Sequence, residues 1–324
     1  MGTDMNYIKK GIPFMLLIFL LLPSVSVLAK EQMDERVYYI LVDRFVNGDN
    51  NNDIEIDIDN PEAYYGGDFQ GIIDKLSNLQ KLGITTINLS PIMVASSYNG
   101  FDPVDYQSVD PQFGDMADLQ QLVAEAHEND MEVVLDFPIT HVAENHSWTS
   151  ENTDWIKDAS TNQLEEQLPA INLDSQEVQE YFLETAVYWM KSANVDGFHI
   201  YVNDQIPELF IEQLRERIFN EDEQATLIID GMETEVGSSM LPSFRTEAVT
   251  ILKQPGQSVE PLLRNELTGV HYLESVLTPR FAHEAVQAGF NPVTRWQLAS
   301  TLLYTLPGGR LFSIRVWKCQ WIMV

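Results

Sequence analysis

The 324-residue chain has one cysteine, Cys319, so it cannot form an internal disulfide. Any stability it needs outside the cell must come from core packing or from a bound ion. Basic residues are scarce as well, 19 against 49 acidic, and the formal charge is −30. Phosphate backbones are bound by clustered lysine and arginine, so nucleic acid is excluded as a natural partner. The longest apolar stretch, Gly11–Leu22, falls short of the ~20 residues a spanning helix needs. Internal repeats, low-complexity tracts and long linkers are also missing, which leaves a globular chain whose 44% hydrophobic content can fill a core.

The N-terminus reads as an export signal over residues 1–29. Lys9 and Lys10 precede the apolar stretch, and Val27 and Ala29 supply small residues before a cut ahead of Lys30. The expected mature protein is secreted and keeps no stable membrane span; the alternative is an uncleaved anchor.

Short apolar strands then alternate with amphipathic helices. Strands are predicted at 37–45, 84–91, 132–137, 197–202 and 226–230, with weaker ones at 249–252 and 270–273. Helices are predicted at 69–82, 116–129, 178–192, 206–219 and 292–306, the first burying Ile72, Leu76, Leu79 and Leu82 on one face. Regular β/α alternation implies a parallel sheet with right-handed crossovers. Seven strands followed by polar loops fit an α/β fold of the (β/α)8 barrel type, whose active residues sit at the C-terminal strand ends. The polar stretch 142–167 is too long for a simple loop and predicts a small excursion domain after strand three.

The motifs lie in those loops. Asp43-Arg44-Phe45-Val46-Asn47-Gly48-Asp49 is followed by Tyr65-Gly66-Gly67-Asp68-Phe69-Gln70-Gly71 and by Asn88-Leu89-Ser90-Pro91. Gly100-Phe101-Asp102-Pro103, Asp110-Pro111-Gln112-Phe113-Gly114, Leu135-Asp136 with Thr140-His141, Asp196-Gly197-Phe198 and Thr278-Pro279-Arg280-Phe281 complete the series. In this order and spacing they resemble the α-amylase family, glycoside hydrolase family 13. The early motifs are most similar to its cyclodextrin glucanotransferase and maltogenic amylase branch. The resemblance implies a retaining hydrolase or transglycosylase of α-glucans over residues 30–309, with 141–169 as a short second domain.

Retaining glycosidases place two carboxyl groups about 5–5.5 Å apart, a nucleophile and an acid of raised pKa. By the resemblance, the nucleophile position is Tyr201 and its steadying arginine is His199. The acid/base position is Gly231, or Asp230 if the match slips by one residue, with Glu233 just beyond. The third carboxylate position is Leu277. These substitutions imply a domain that has lost normal hydrolytic activity, because removing one member of a catalytic unit already costs most of the rate. Among sugar contacts, the resemblance retains Phe101 and His141, while the pocket histidine is replaced by Asn99. A non-catalytic α-glucan-binding or cell-surface interaction module is the alternative, with maltooligosaccharide as the expected partner.

Calcium takes about six to eight oxygen ligands. The resemblance implies one calcium site built from Asn47, Asp49, Asn52, Asp53, Gly66 and Asp68. The family's second site falls on Thr140, Ala170 and Gln205, which carry no charge, and no metal is expected there. Beyond Gly309 the resemblance stops. The tail 310–324 reads as atypical, and one codon choice shifted by one base turns its start into Pro-Ile-Ile-Phe-Tyr-Thr-Gly-Leu-Glu, the missing strand-eight motif. The expectation is a frameshifted tail and a barrel truncated around strand eight, with exposed strand edges.

Overall fold

The computed structural model describes residues 36–161, 164, 167–203, 205–231, 238–240, 270–276, 278–305 and 309–314. The predicted export signal, the strand at 249–252, Glu233, Leu277 and residues 315–324 lie outside them.

Twelve strands are described, eight of them parallel members of one closed barrel. The barrel runs, neighbour by neighbour, through β1 (Arg36–Ile40), β2 (Thr86–Leu89), β5 (Glu132–Asp136), β8 (Gly197–Tyr201), β9 (Thr226–Asp230), β10 (Ser238–Met240), β11 (Val270–Tyr272) and β12 (Gly309–Ile314). The strand residues of β2, β8 and β9 are buried throughout. That explains their near-continuous apolar sequence, since a parallel strand is covered on both faces. The sixth strand is Ser238–Met240, earlier in the chain than the predicted 249–252.

The helices are α1 (Phe69–Ile73), α2 (Leu76–Lys81), α3 (Met116–Glu128), α4 (Gln176–Ala193), α5 (Glu208–Glu221), α6 (Phe281–Gln287) and α7 (Pro292–Thr305). The single helix predicted over 69–82 is thus two short ones, and Leu82, expected on its buried face, is 63% exposed. Asp68 sets where α1 starts, because its side chain accepts the Gly71 N–H and caps the first turn. Asp115 and Asp118 form a reciprocal capping box on α3.

The predicted excursion after strand three is a two-stranded hairpin, β6 (Ile156–Thr161) against β7 (Gln167–Ile171), preceded by two short 3-10 turns. Another hairpin, β3 (Met93–Ala95) with β4 (Pro103–Val109), was not predicted.

The eighth strand departs furthest from expectation. Residues 310–314, read as a foreign tail, pair in parallel with both β1 and β11, with Tyr38 opposite Phe312 and His271 opposite Arg310. The open strand edge expected at this point does not occur. Leu311, Phe312 and Ile314 bring the β-propensity the position needs, and backbone pairing is indifferent to motif identity. Among the described residues no helix follows β12.

Candidate active site at the barrel mouth

Register brings the site together. Asp136 lies opposite His199, and Tyr201 opposite Asp230, so adjacent C-terminal strand ends present all four side chains to one mouth. Asp136 is fully buried. Its Oδ2 accepts the Tyr39 hydroxyl at 2.8 Å and the Tyr201 hydroxyl at 3.1 Å, and its Oδ1 accepts Asn88 Nδ2 at 2.8 Å. His199 Nδ1 is 2.9 Å from Asp136 Oδ1, yet neither ring nitrogen makes a well-directed hydrogen bond.

This geometry determines what Tyr201 can do. Burial, reinforced by the Asp136 charge, raises its phenol well above the ordinary tyrosine range. The phenol is a donor to Asp136, so it stays protonated and is a poor nucleophile. Phe101 packs edge-on against it with ring centroids 5.3 Å apart.

Asp230 is buried, and its Oδ2 has no hydrogen-bond partner. Burial raises its carboxyl above the usual range; nearby His199 opposes the rise and Asp136 adds to it. It is thus held toward the acid form, without a second carboxylate at Tyr201 to act with it. Gly231 has φ +103°, and a Cβ there would lie 2.2 Å from the Val202 carbonyl oxygen. A glutamate cannot occupy this backbone position without moving the chain. Leu277 and Glu233 lie outside the described residues.

The two sugar-contact candidates are enclosed. Phe101 and His141 are each 1% exposed. The ring of Phe101 is turned to Tyr201. His141 Nε2 lies 2.9 Å from Ser160 Oγ, and burial pushes its imidazole down to about 4. Asn99 Oδ1 accepts the Phe101 N–H and fixes the turn that carries the ring. Tyr39, Ser160 and Leu164 were not singled out by sequence reading, and Asn88 only as part of the Asn88-Leu89-Ser90-Pro91 motif. Tyr39 and Asn88 had a signal, each lying on a predicted or motif-bearing strand, but nothing in sequence said that both would meet at Asp136.

The candidate calcium residues make contacts within the chain. Asn47 and Asp53 meet at 2.7 Å, and a Cβ on Gly66 would touch both. Asn52 Oδ1 is buried without a hydrogen-bond partner. An unsatisfied buried oxygen in a loop rich in carboxylates and amides suits a hard cation. Asp68 is used differently from the expectation. Its two oxygens accept the N–H groups of Gly48, Asp49 and Gly71, at 2.6 to 3.1 Å, so it braces the loop rather than facing an ion. Asp49 Oδ1 accepts the Asn51 N–H. At the second family position, the Thr140 carbonyl accepts the Ile171 N–H, Ala170 bridges His141, and Gln205 Nε2 donates to Ser160.

Comparison with known proteins gives this geometry a family. The description "Alpha amylase, catalytic domain" matches residues 39–164. The solved α-amylase of Anoxybacillus aligns over 86% of this chain and 70% of its own, at 32% identity and a TM-score of 0.79. The chain belongs to the α-amylase family. Among curated members, it is 33% identical over 210 residues to a cyclomaltodextrinase of Thermoanaerobacter pseudethanolicus, covering 56% of this chain and 37% of that protein. It is 30% identical over 218 residues to an intracellular maltogenic amylase of Bacillus subtilis, covering 60% and 37%. The chain therefore spans little more than a third of the curated relatives it matches.

Proposed function

We propose that this chain is an exported α-amylase-family domain of α-glucan metabolism that no longer hydrolyses glycosidic bonds. One observation carries the reading: the nucleophile position holds Tyr201, buried and hydrogen-bonded to Asp136. A retaining mechanism needs a carboxylate there and an acid across the sugar. Here the nucleophile place is a hydrogen-bonded phenol, and the acid place is either Gly231, which cannot carry a longer side chain, or Asp230, which has no carboxylate at Tyr201 to act with. The names of the relatives, cyclomaltodextrinase and maltogenic amylase, support an α-glucan or maltooligosaccharide as the ligand class. Export rests on the apolar segment at 11–22 behind two lysines.

The test is release of reducing ends from maltoheptaose and β-cyclodextrin, with an intact family enzyme run alongside. Turnover at least about 10,000-fold below that enzyme is expected, because the catalytic groups act as a unit. Turnover within about 100-fold of it would sink the reading.

Calcium belongs to the same proposal. Asn47, Asp49, Asn52, Asp53 and the Gly66 carbonyl would hold one ion, which ties the 47–53 loop to Gly66 and supplies no chemistry to a reacting group. Titration calorimetry should find one calcium per chain, abolished by N47A/D53A. Two tight ions, or binding unchanged in the double variant, would overturn it.

A further inference from the structure

The sequence contains two Asn-Gly dipeptides, Asn47-Gly48 and Asn99-Gly100. A glycine has no Cβ, so its backbone nitrogen can approach the amide carbon of a preceding asparagine without obstruction. At position 48 the fold requires that glycine, because an added Cβ would lie 2.3 Å from the Gly71 nitrogen. Packing thus imposes a labile dipeptide on the 47–53 turn, and it does so with Asn47 exposed. Two residues restrain the reacting groups. The Gly48 N–H donates to both oxygens of Asp68, at 3.1 and 3.0 Å. Asn47 Nδ2 donates to Asp53 Oδ1 at 2.7 Å. Asp68 is fully buried and also accepts the Asp49 and Gly71 N–H groups, so its carboxylate is fixed from several sides.

We propose that Asn47 is a deamidation site and that Asp68 is the residue that keeps it intact in the folded chain. In the reaction the Gly48 nitrogen gives its proton to water or hydroxide and attacks Asn47 Cγ. A C–N bond forms and closes a cyclic imide; the Cγ–Nδ2 bond breaks, and ammonia leaves with a proton from solvent. Water then opens either imide C–N bond, giving aspartate or isoaspartate. Asparagine and water become an acid and ammonia, and nothing is oxidised or reduced. Asp68 opposes the first step, since its carboxylate binds the N–H and repels the anion left when that proton is lost. Asp53 opposes the attack more weakly, by holding the Asn47 side chain through its Nδ2. In the aspartate product a carboxylate replaces the amide that donates to Asp53, so two like charges face each other and the turn is pushed open. None of this depends on the glucan or calcium readings.

Peptide mapping by mass spectrometry tests it on the full chain, incubated with EDTA so that no bound ion contributes, and follows acid formation at residues 47 and 99 separately. In urea both asparagines should react faster than Asn78, which precedes a leucine. In the folded parent Asn47 should react at least about 10-fold more slowly than in urea, the effect of a hydrogen bond to a charged group. Asp68→Asn removes the anion with little change of shape and should speed residue 47 at least about 10-fold, while residue 99 keeps its parent rate. Asn99 is the internal control for unfolding, because its Oδ1 accepts from Phe101 N–H and Ser97 Oγ, and Gly100 N–H donates to Ser97 O. D53A should give a smaller rise, again confined to residue 47. Asn47 reacting no faster than Asn78 in urea, or as fast in the folded parent as in urea, would overturn the proposal. So would an unchanged rate in D68N, or a larger rise in D53A than in D68N. Equal acceleration of residues 47 and 99 in D68N would show that Asp68 acts only through the whole fold, and would overturn it as well.

Discussion

The first three barrel strands and the mouth of the next two treat polar residues in opposite ways. In the first region the buried acids Asp43, Asp68 and Asp102 draw partners from the scaffold, although Asp43 Oδ2, 2.6 Å from Arg44 Nε, makes no well-directed hydrogen bond. Asp43 accepts the N–H groups of Tyr65 and Gly66. Asp68 braces the 47–49 turn and caps α1, and Asp102 accepts from Ser97. Arg44 is sandwiched between the rings of Tyr65 and Tyr98, at 3.6 and 3.7 Å, while donating to two carbonyls. In the second region, the places where the family resemblance puts acids that face substrate hold Tyr201 and Gly231. Asp230 keeps a carboxyl oxygen with no partner. The contrast shows that a polar motif residue can be read as scaffold when its partners are within the chain. A site residue has partners in the ligand, and its replacement leaves the scaffold standing.

The strongest way to break this comparison is at Asp136, which belongs to both regions. Asp136→Ala removes the buried acceptor that Tyr39, Tyr201 and Asn88 share. The expected cost is about 3–5 kcal/mol, read by urea denaturation. A loss below about 1 kcal/mol would mean that the cluster is not holding the barrel.

Gly231→Glu ranks next. Restoring the family's acid at that place forces a side chain into the left-handed region and against the Val202 carbonyl. We expect about 2–4 kcal/mol of destabilisation and no gain in maltoheptaose turnover. A stable variant with turnover would show that the mouth still accommodates the chemistry.

The smallest effect concerns acid. Burial lowers His141 to about 4 from its ordinary 6.5, so the fold favours the neutral ring. Its contribution is full above pH 6.5 and is lost as pH falls through about 4. Replacing it in His141→Asn should flatten the stability profile across that window by about 1–3 kcal/mol, measured by denaturation at several pH values. Parallel profiles for parent and variant would remove His141 from the acid response.

Much of the barrel was legible in the chain. The strands at 132–136, 197–201 and 226–230 stand out because residues buried on both faces must be apolar. The helix at 116–128 stands out by its spacing and its Asp cap. The break after Ile73 was not legible, since apolar spacing continues through it and only the surroundings of Leu82 decide that it faces solvent. The pairing of residues 310–314 with β1 and β11 was not legible for a related reason. Motif comparison reports ancestry, whereas closing a barrel requires backbone groups in register and residues that tolerate an extended chain.

The sequence by itself determined the α/β class and the family, because these rest on residue identity and order; the family resemblance sets Tyr201, Gly231 or Asp230, and Leu277 against its acids. Tertiary structure alone decided the surroundings of Tyr201 and Gly231: a phenol held on Asp136, a glycine with no room for a side chain, and Phe101 packed edge-on against Tyr201. Those outcomes depend on which strand ends become neighbours and on how much water is left between them. Neither follows from spacing along the chain.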